Sequence, residues 1–183
     1  LRLNTDETKP VCDESLRGML WFEKSNVSDS LEVCKQYGQA YNDNVVIQSA
    51  VLPTPRGRNS CVEDSSTHKI YCFGGEENGE VAISQIVEYN PQNDVLTVKS
   101  ASLSTPTTTL ACTENSATHK IYCFGGQGSG SGNRISEYNP TTDVLVVKSA
   151  TLPTPRYSLS CVEDSSTHKI YCFGGVSTSG PQY

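Results

Sequence analysis

This chain of 183 residues has no basic cluster, no membrane-length apolar run and no C-x-x-C pair. Each absence excludes a class. Nucleic-acid binding draws on clustered Lys and Arg that displace counterions, and the formal net charge here is −6. The same lack of positive charge excludes attraction to anionic membranes. No apolar stretch approaches the roughly 18 residues of a membrane-spanning helix. Residues 1–10 are polar, without the apolar core of a signal peptide, so an exported form is expected to be a mature chain or a piece of a longer one. Only 19% of residues are charged, against about a quarter in most domains. Ser, Thr, Asn and Gly take up the difference, which suits short strands and many turns.

Eight cysteines are present, and three pairs share one spacing: Cys61 and Cys72, Cys112 and Cys123, Cys161 and Cys172 are each 11 residues apart. An even count at regular spacing indicates disulfides. Reduced core cysteine and zinc ligation are the alternatives, and zinc is disfavoured because its usual close-spaced pairs are missing.

The spacing belongs to a repeat. Residues 61–75 read CVEDSSTHKIYCFGG, residues 161–175 repeat them without change, and residues 112–126 read CTENSATHKIYCFGG. His68, His119 and His168 mark a period near fifty residues. In the second period, strands are expected at 109–114, 119–124, 135–138 and 144–148. The first pair is joined by a tight turn and the last pair by a turn opening at Asn139-Pro140. If the leading hairpin is in register about Ser66-Thr67, Cys61 falls opposite Cys72 at about 4.5–5.5 Å between Cα atoms, within disulfide reach. By elimination Cys12 pairs with Cys34. Between these two, 18–23 (GMLWFE, holding the only tryptophan, Trp21) and 30–33 read as strands. Asn26-Val27-Ser28 in their loop is a glycosylation sequon.

The repeat resembles the kelch family. IYCF precedes Gly74-Gly75, with Tyr89 and, after six residues, Leu96; the same run precedes Gly125-Gly126, with Tyr138 and then Leu145. Kelch repeats usually carry tryptophan where these leucines stand, so some aromatic packing is absent. The resemblance covers roughly residues 40 to 175 and implies a β-propeller of four-stranded antiparallel blades, a fold that serves many functions. The expected fold is therefore all-β: a small disulfide-stapled β-module at residues 1–38, then propeller blades at 39–183 forming an incomplete ring. Residues 40–50 (AYNDNVVIQSA) are similar to 137–150 (EYNPTTDVLVVKSA), the rear half of a blade, while the third period stops after its front half. That gives two whole blades and two half-blades. Bare half-blade edges seek partners. A fragment of a longer propeller, a ring or filament of several copies, and a closed three-bladed monomer are the three outcomes, the last disfavoured by its narrow centre.

No catalytic set stands out, because each candidate is replicated around the repeat. The three histidines hold equivalent places and are not expected to converge on one metal ion. Glu76, Glu77 and Glu80 lack the alternation of a calcium loop. The glycines of 125–132 precede no Walker lysine. The copper-oxidase constellation of some kelch proteins is not found. No cofactor or metal is expected, and the chain is read as a non-enzyme. The loops after the double glycines vary between copies while the EDSSTHK turns barely change. Varied loops on a rigid frame suit recognition, so Arg56, Glu76, Glu77, Asn133, Arg134 and Arg156 form the candidate ligand face. The leading expectation is an extracellular or cell-surface scaffold or adhesion protein that associates with itself or with other extracellular proteins, in one variant as a filament. A secreted glycan-binding module and the accessory propeller of a larger secreted enzyme are the alternatives. Alkylating the unreduced, exported protein should add nothing to its intact mass; uptake at eight thiols would overturn both the disulfide and the compartment arguments.

Overall fold

The computed structural model describes residues 20–24, 29–33, 49–78, 81–177 and 180–181, the first two and the last as backbone. Among them there is no helix; every regular element is a strand. The chain divides into two compact units, residues 1–47 and 48–183. In the first, β1 (Leu20–Lys24) pairs antiparallel with β2 (Asp29–Val33), Leu20 opposite Val33. This is the expected hairpin, shifted by one or two residues. Cys12, Cys34, Asn26 and most of residues 40–50 lie outside the described residues, as does Glu80.

In the second unit each repeat builds an antiparallel sheet. The first holds β4 (Ser60–Asp64), β5 (Lys69–Phe73), β8 (Gln85–Asn90) and β9 (Val95–Ser102) in sequential order. A small adjoining sheet contains β3 (Arg56–Gly57), β6 (Glu76–Glu77) and β7 (Val81–Ala82). The second repeat holds β10 (Ala111–Asn115), β11 (Lys120–Phe124), β12 (Arg134–Asn139) and β13 (Val144–Thr151) in the same order. The third repeat continues with β14 (Arg156–Asp164), β15 (Lys169–Ser177) and β16 (Gly180–Pro181). The expected strands of the second period are all present. The fourth runs three residues further than expected, because Val-Val-Lys-Ser-Ala-Thr continues the extended pattern past Lys148.

The turns explain the register. Asp64 stands opposite Lys69, leaving a four-residue loop. The Asp64 carboxylate accepts from Ser66 N and from the Thr67 hydroxyl, and the Asp64 carbonyl accepts from His68 N at 2.8 Å. His68 closes the loop at φ 57°, a left-handed conformation that histidine adopts more readily than most residues. His119 and His168 do the same at 53° and 55°. The rear hairpins follow this plan with Asp94 and Asp143 in the left-handed position. Cys61 therefore lies opposite Cys72, Cys112 opposite Cys123 and Cys161 opposite Cys172, and all three pairs are bonded. Their Cα atoms are 4.0–4.1 Å apart, closer than unbridged opposed residues because the bond draws the strands together.

The core forms between repeats as well as within them. One cluster joins Tyr71, Phe73 and Ile86 of the first sheet to Ile121, Cys123 and Tyr138 of the second. Tyr138 meets Tyr71 at 5.6 Å and Phe73 edge-on at 5.5 Å. A second cluster joins Phe124 and Tyr122 to Leu159, Cys161, Ile170 and Cys172. The double glycines sit where the next repeat's crossing segment comes closest. A Cβ on Gly74 would stand 2.3 Å from the Thr107 carbonyl, and one on Gly125 2.3 Å from that of Arg156. Gly174 has the same positive φ with nothing within 4 Å. Gly74→Ala and Gly174→Ala share the backbone strain, about 1–2 kcal/mol. Gly74→Ala should cost about 1–3 kcal/mol more through the clash. Urea unfolding of the two variants measures the difference, and equal costs would contradict this packing.

Candidate functional site

The repeated polar residues converge on the seams between repeats. Glu114 on β10 lies beneath the first repeat's leading turn. Its carboxylate accepts from Ser65 N at 3.0 and 3.1 Å and from the Ser65 hydroxyl at 3.0 Å. Glu163 accepts from Ser116 N at 2.7 Å in the next seam. In each case the left-handed histidine of the same turn completes the clasp. His119 Nδ1 is 3.0 Å from Glu114 and 3.3 Å from the Ser65 hydroxyl; His168 Nδ1 is 3.2 Å from both Glu163 and the Ser116 hydroxyl. Buried carboxylates that accept backbone N–H groups form charge-assisted bonds, the stronger class of hydrogen bond. Burial pushes the Glu163 carboxyl up, but the Ser116 and His168 contacts outweigh it and hold the group below its usual range.

A second clasp closes the other end of the first seam, and a matching one holds Ser49 and Ala50 to the first repeat. Asp143 accepts from Ser100 N at 2.9 Å and from Ala101 N at 3.4 Å, the end of the preceding repeat's fourth strand, and Tyr138 donates to it at 3.0 Å. Asp94 accepts from Ser49 N at 2.8 Å, from Ala50 N, and from the Tyr89 hydroxyl. Ser49 and Ala50 thus occupy, against the first repeat, the place that Ser100 and Ala101 occupy against the second. This matches the sequence likeness of 40–50 to a rear half-repeat at its two described residues. A further link is a ladder of left-handed residues: Thr109 N donates to the Arg58 carbonyl and Ser158 N to that of Thr109.

Within the first two sheets a glutamate on the third strand ties three strands together. Glu137 takes Lys120 Nζ at 2.7 Å, Lys148 Nζ at 2.8 Å and the Tyr122 hydroxyl at 3.0 Å. Glu88 does the same with Lys69, Lys99 and Tyr71. The Lys120 and Lys148 bonds hold the Glu137 carboxyl down at about 2.

The structure gathers the candidate ligand face at the crossing-loop end, where β3 pairs with β6, Arg56 opposite Glu77. Its charged residues are engaged in holding the loops. The Arg56 side chain is fully buried, 3.9 Å from Glu77, and donates to Gln85. Desolvation lowers its pKa, and its Nε and Nη1 meet no acceptor. Thr54 donates to Glu77, and Glu76 pairs with Arg58 at 3.2 Å. Arg134 donates to the Thr105 hydroxyl, Arg156 to Thr154 and to the Gly174 carbonyl, and the Asn133 carbonyl accepts from Leu152 N. Arg134 also borders a cavity of about 10 Å³ beside Leu103 and Ser131, room for one water.

Each histidine lies against its own repeat's glutamate, and His119 also lies 3.9 Å from Asp64 of the preceding repeat. Among the described residues one group has metal-like spacing, Asp64, Glu114 and His119. All three already serve the seam. Asp64 is held low in pKa by Thr67, Ser66 and His119 against the upward push of burial. Neither a family model nor a curated protein matches the chain.

The seam clasps were not singled out from sequence, although their signal was there: Glu, Ser and His recur in the least-changing turn. For Glu137 the folded pKa lies below the unfolded value of about 4.3, so its contribution is intact above that pH and is lost as pH falls toward about 2. The stability gap between wild type and Glu137→Gln, read by urea unfolding, should narrow from pH 6 to pH 2.5 by about 1 kcal/mol or more. A pH-independent gap would mean that the lysines do not act through this charge.

Proposed function

We propose that this chain is a run of kelch-type β-propeller blades that serves, outside the reducing cytosol, as a structural or adhesion scaffold built by self-association. The observation that carries this reading is where the repeated chemistry goes. Carboxylate, histidine, tyrosine and disulfide recur at each seam, so the repetition serves the joining of one sheet to the next. The first strands of neighbouring repeats lie against each other, β4 with β10 and β10 with β14, as the inner strands of adjacent blades would. The kelch tyrosine, Tyr138, is buried in the seam and tied to Asp143, a role that suits blade stacking.

Three hairpin disulfides support an oxidising compartment. The reading is non-enzymatic, with no cofactor. The arginines and glutamates of the candidate ligand face spend their bonds on the loops, which weighs against the glycan-binding alternative. In this scaffold the leading half-blade of one copy completes the rear half-blade of another, adding main-chain pairing to side-chain packing.

Native mass measurement with negative-stain imaging over a range of concentrations tests the reading. Rings or filaments that grow with concentration and need no small ligand are the expected result. A strictly monomeric chain that binds glycans on an array would overturn it.

A further inference from the structure

Both internal seams join the same two kinds of face. Val62, Tyr71 and Phe73 of the first repeat pack on Cys112, Ile121 and Cys123 of the second. Tyr122 and Phe124 of the second pack on Cys161, Ile170 and Cys172 of the third. Each repeat therefore has an aromatic face that looks forward and a disulfide face that looks back.

One face of each kind is left over. On the third repeat the aromatic face is open: Tyr171 is 45% exposed and Phe173 65%, where Tyr71 and Phe73 are 2% and 0% exposed. Val162, opposite Tyr171 and 57% exposed, extends the patch. On the first repeat the clasp is open: the Glu63 and His68 side chains are 57% and 70% exposed, against 10% and 44% for Glu114 and His119. Both faces are exposed at once, so they do not meet within one chain. Residues 61–75 and 161–175 are identical. The open aromatic face is thus the one that the first seam buries, and the open disulfide face is the one that the second seam buries.

The polar groups complement each other in the same way. Among the described residues no carboxylate caps Ser165, the counterpart of Ser65 and Ser116, while Glu63 and His68 have no serine turn against them. Gly174 faces empty space where Gly74 and Gly125 meet the carbonyls of Thr107 and Arg156. Arg56 holds the matching place in the first repeat's crossing segment.

We propose that the aromatic face of the third repeat, Val162–Tyr171–Phe173, seats on the disulfide face of the first repeat in a second copy of this chain. Ser165 is capped there by Glu63 and His68, and Gly174 approaches the Arg56 carbonyl. This rests on the self-associating scaffold reading and names its partner and its contact. It is a face-to-face contact, distinct from strand pairing at the edges. The interface is head to tail, so successive copies close a ring or extend a filament according to the rotation between them.

The test is sedimentation of the oxidised full chain across the micromolar range, with Phe173→Asp blocking the aromatic face and Ile70→Asp or Glu63→Arg blocking the disulfide face. Circular dichroism and unreduced intact mass check that each variant is folded. Wild type should associate, and each variant alone should associate at least about tenfold more weakly. An equimolar mixture of Phe173→Asp with either partner variant should form a dimer and nothing larger, because it retains one intact face of each kind. If wild type and the variants associate equally, the face assignment is overturned and the scaffold reading stands on edge pairing. A mixture that forms no dimer while wild type assembles also overturns the assignment. A wild-type chain that stays monomeric throughout removes both the assignment and self-association.

Discussion

The buried carboxylate that caps a neighbour's backbone is the constraint on which this structure depends. A single four-stranded repeat cannot bury its apolar faces by itself. Stacking sheets buries the faces and brings backbone amides of one repeat up to carboxylates of the next. Glu114 and Glu163 at one end, and Asp94 and Asp143 at the other, supply acceptors for those amides. Hydrogen bonds to an ionised acceptor are the stronger class, so the caps add direction to the apolar packing. They fix the height at which one sheet sits on the next.

The disulfides take part in the same contact. A staple across a short hairpin reads at first as local reinforcement, worth about 2–3 kcal/mol through loop closure. Yet Cys112–Cys123 and Cys161–Cys172 lie in the apolar clusters between repeats. The sulfurs present a compact, rigid, apolar ridge to the preceding repeat's tyrosine and phenylalanine. Reduction would release the hairpins and leave thiols in the seams. Hairpin integrity and sheet stacking are therefore coupled through one bond, so oxidation of these cysteines is a condition of the stacking as well as of the hairpin.

Much of this was legible in the sequence because repetition supplies its own controls. The spacing of Cys61 and Cys72 about a central turn set the register, and three copies of that spacing left little freedom. The strands followed from β-branched and aromatic runs ended by Gly-Gly or Asn-Pro. The seam chemistry was less legible, for a physical reason. Glu63, Glu114 and Glu163 are one residue type in one sequence position, yet two are buried caps and one is exposed. What differs is the neighbour, which the local sequence does not encode. Arg56 and Arg156 were candidates for a ligand face, with packing and polar bonding as the other reading. A side chain's polarity says that it needs a partner, and here the crossing loops provide the partners from within the chain.

The same logic explains why the ends of the repeat array differ chemically although their sequences match. Hydrogen bonds and apolar contacts in a stacked array are shared between neighbours, so each internal unit contributes two faces and each end unit one. On the uncovered faces of the first and third repeats, Tyr171 and Phe173 keep the residues of a buried face, and Glu63 and His68 keep those of a working clasp. An apolar face of this kind that is left in water favours covering, and the neighbour it is shaped for is another sheet with a disulfide ridge and a glutamate one residue before its turn.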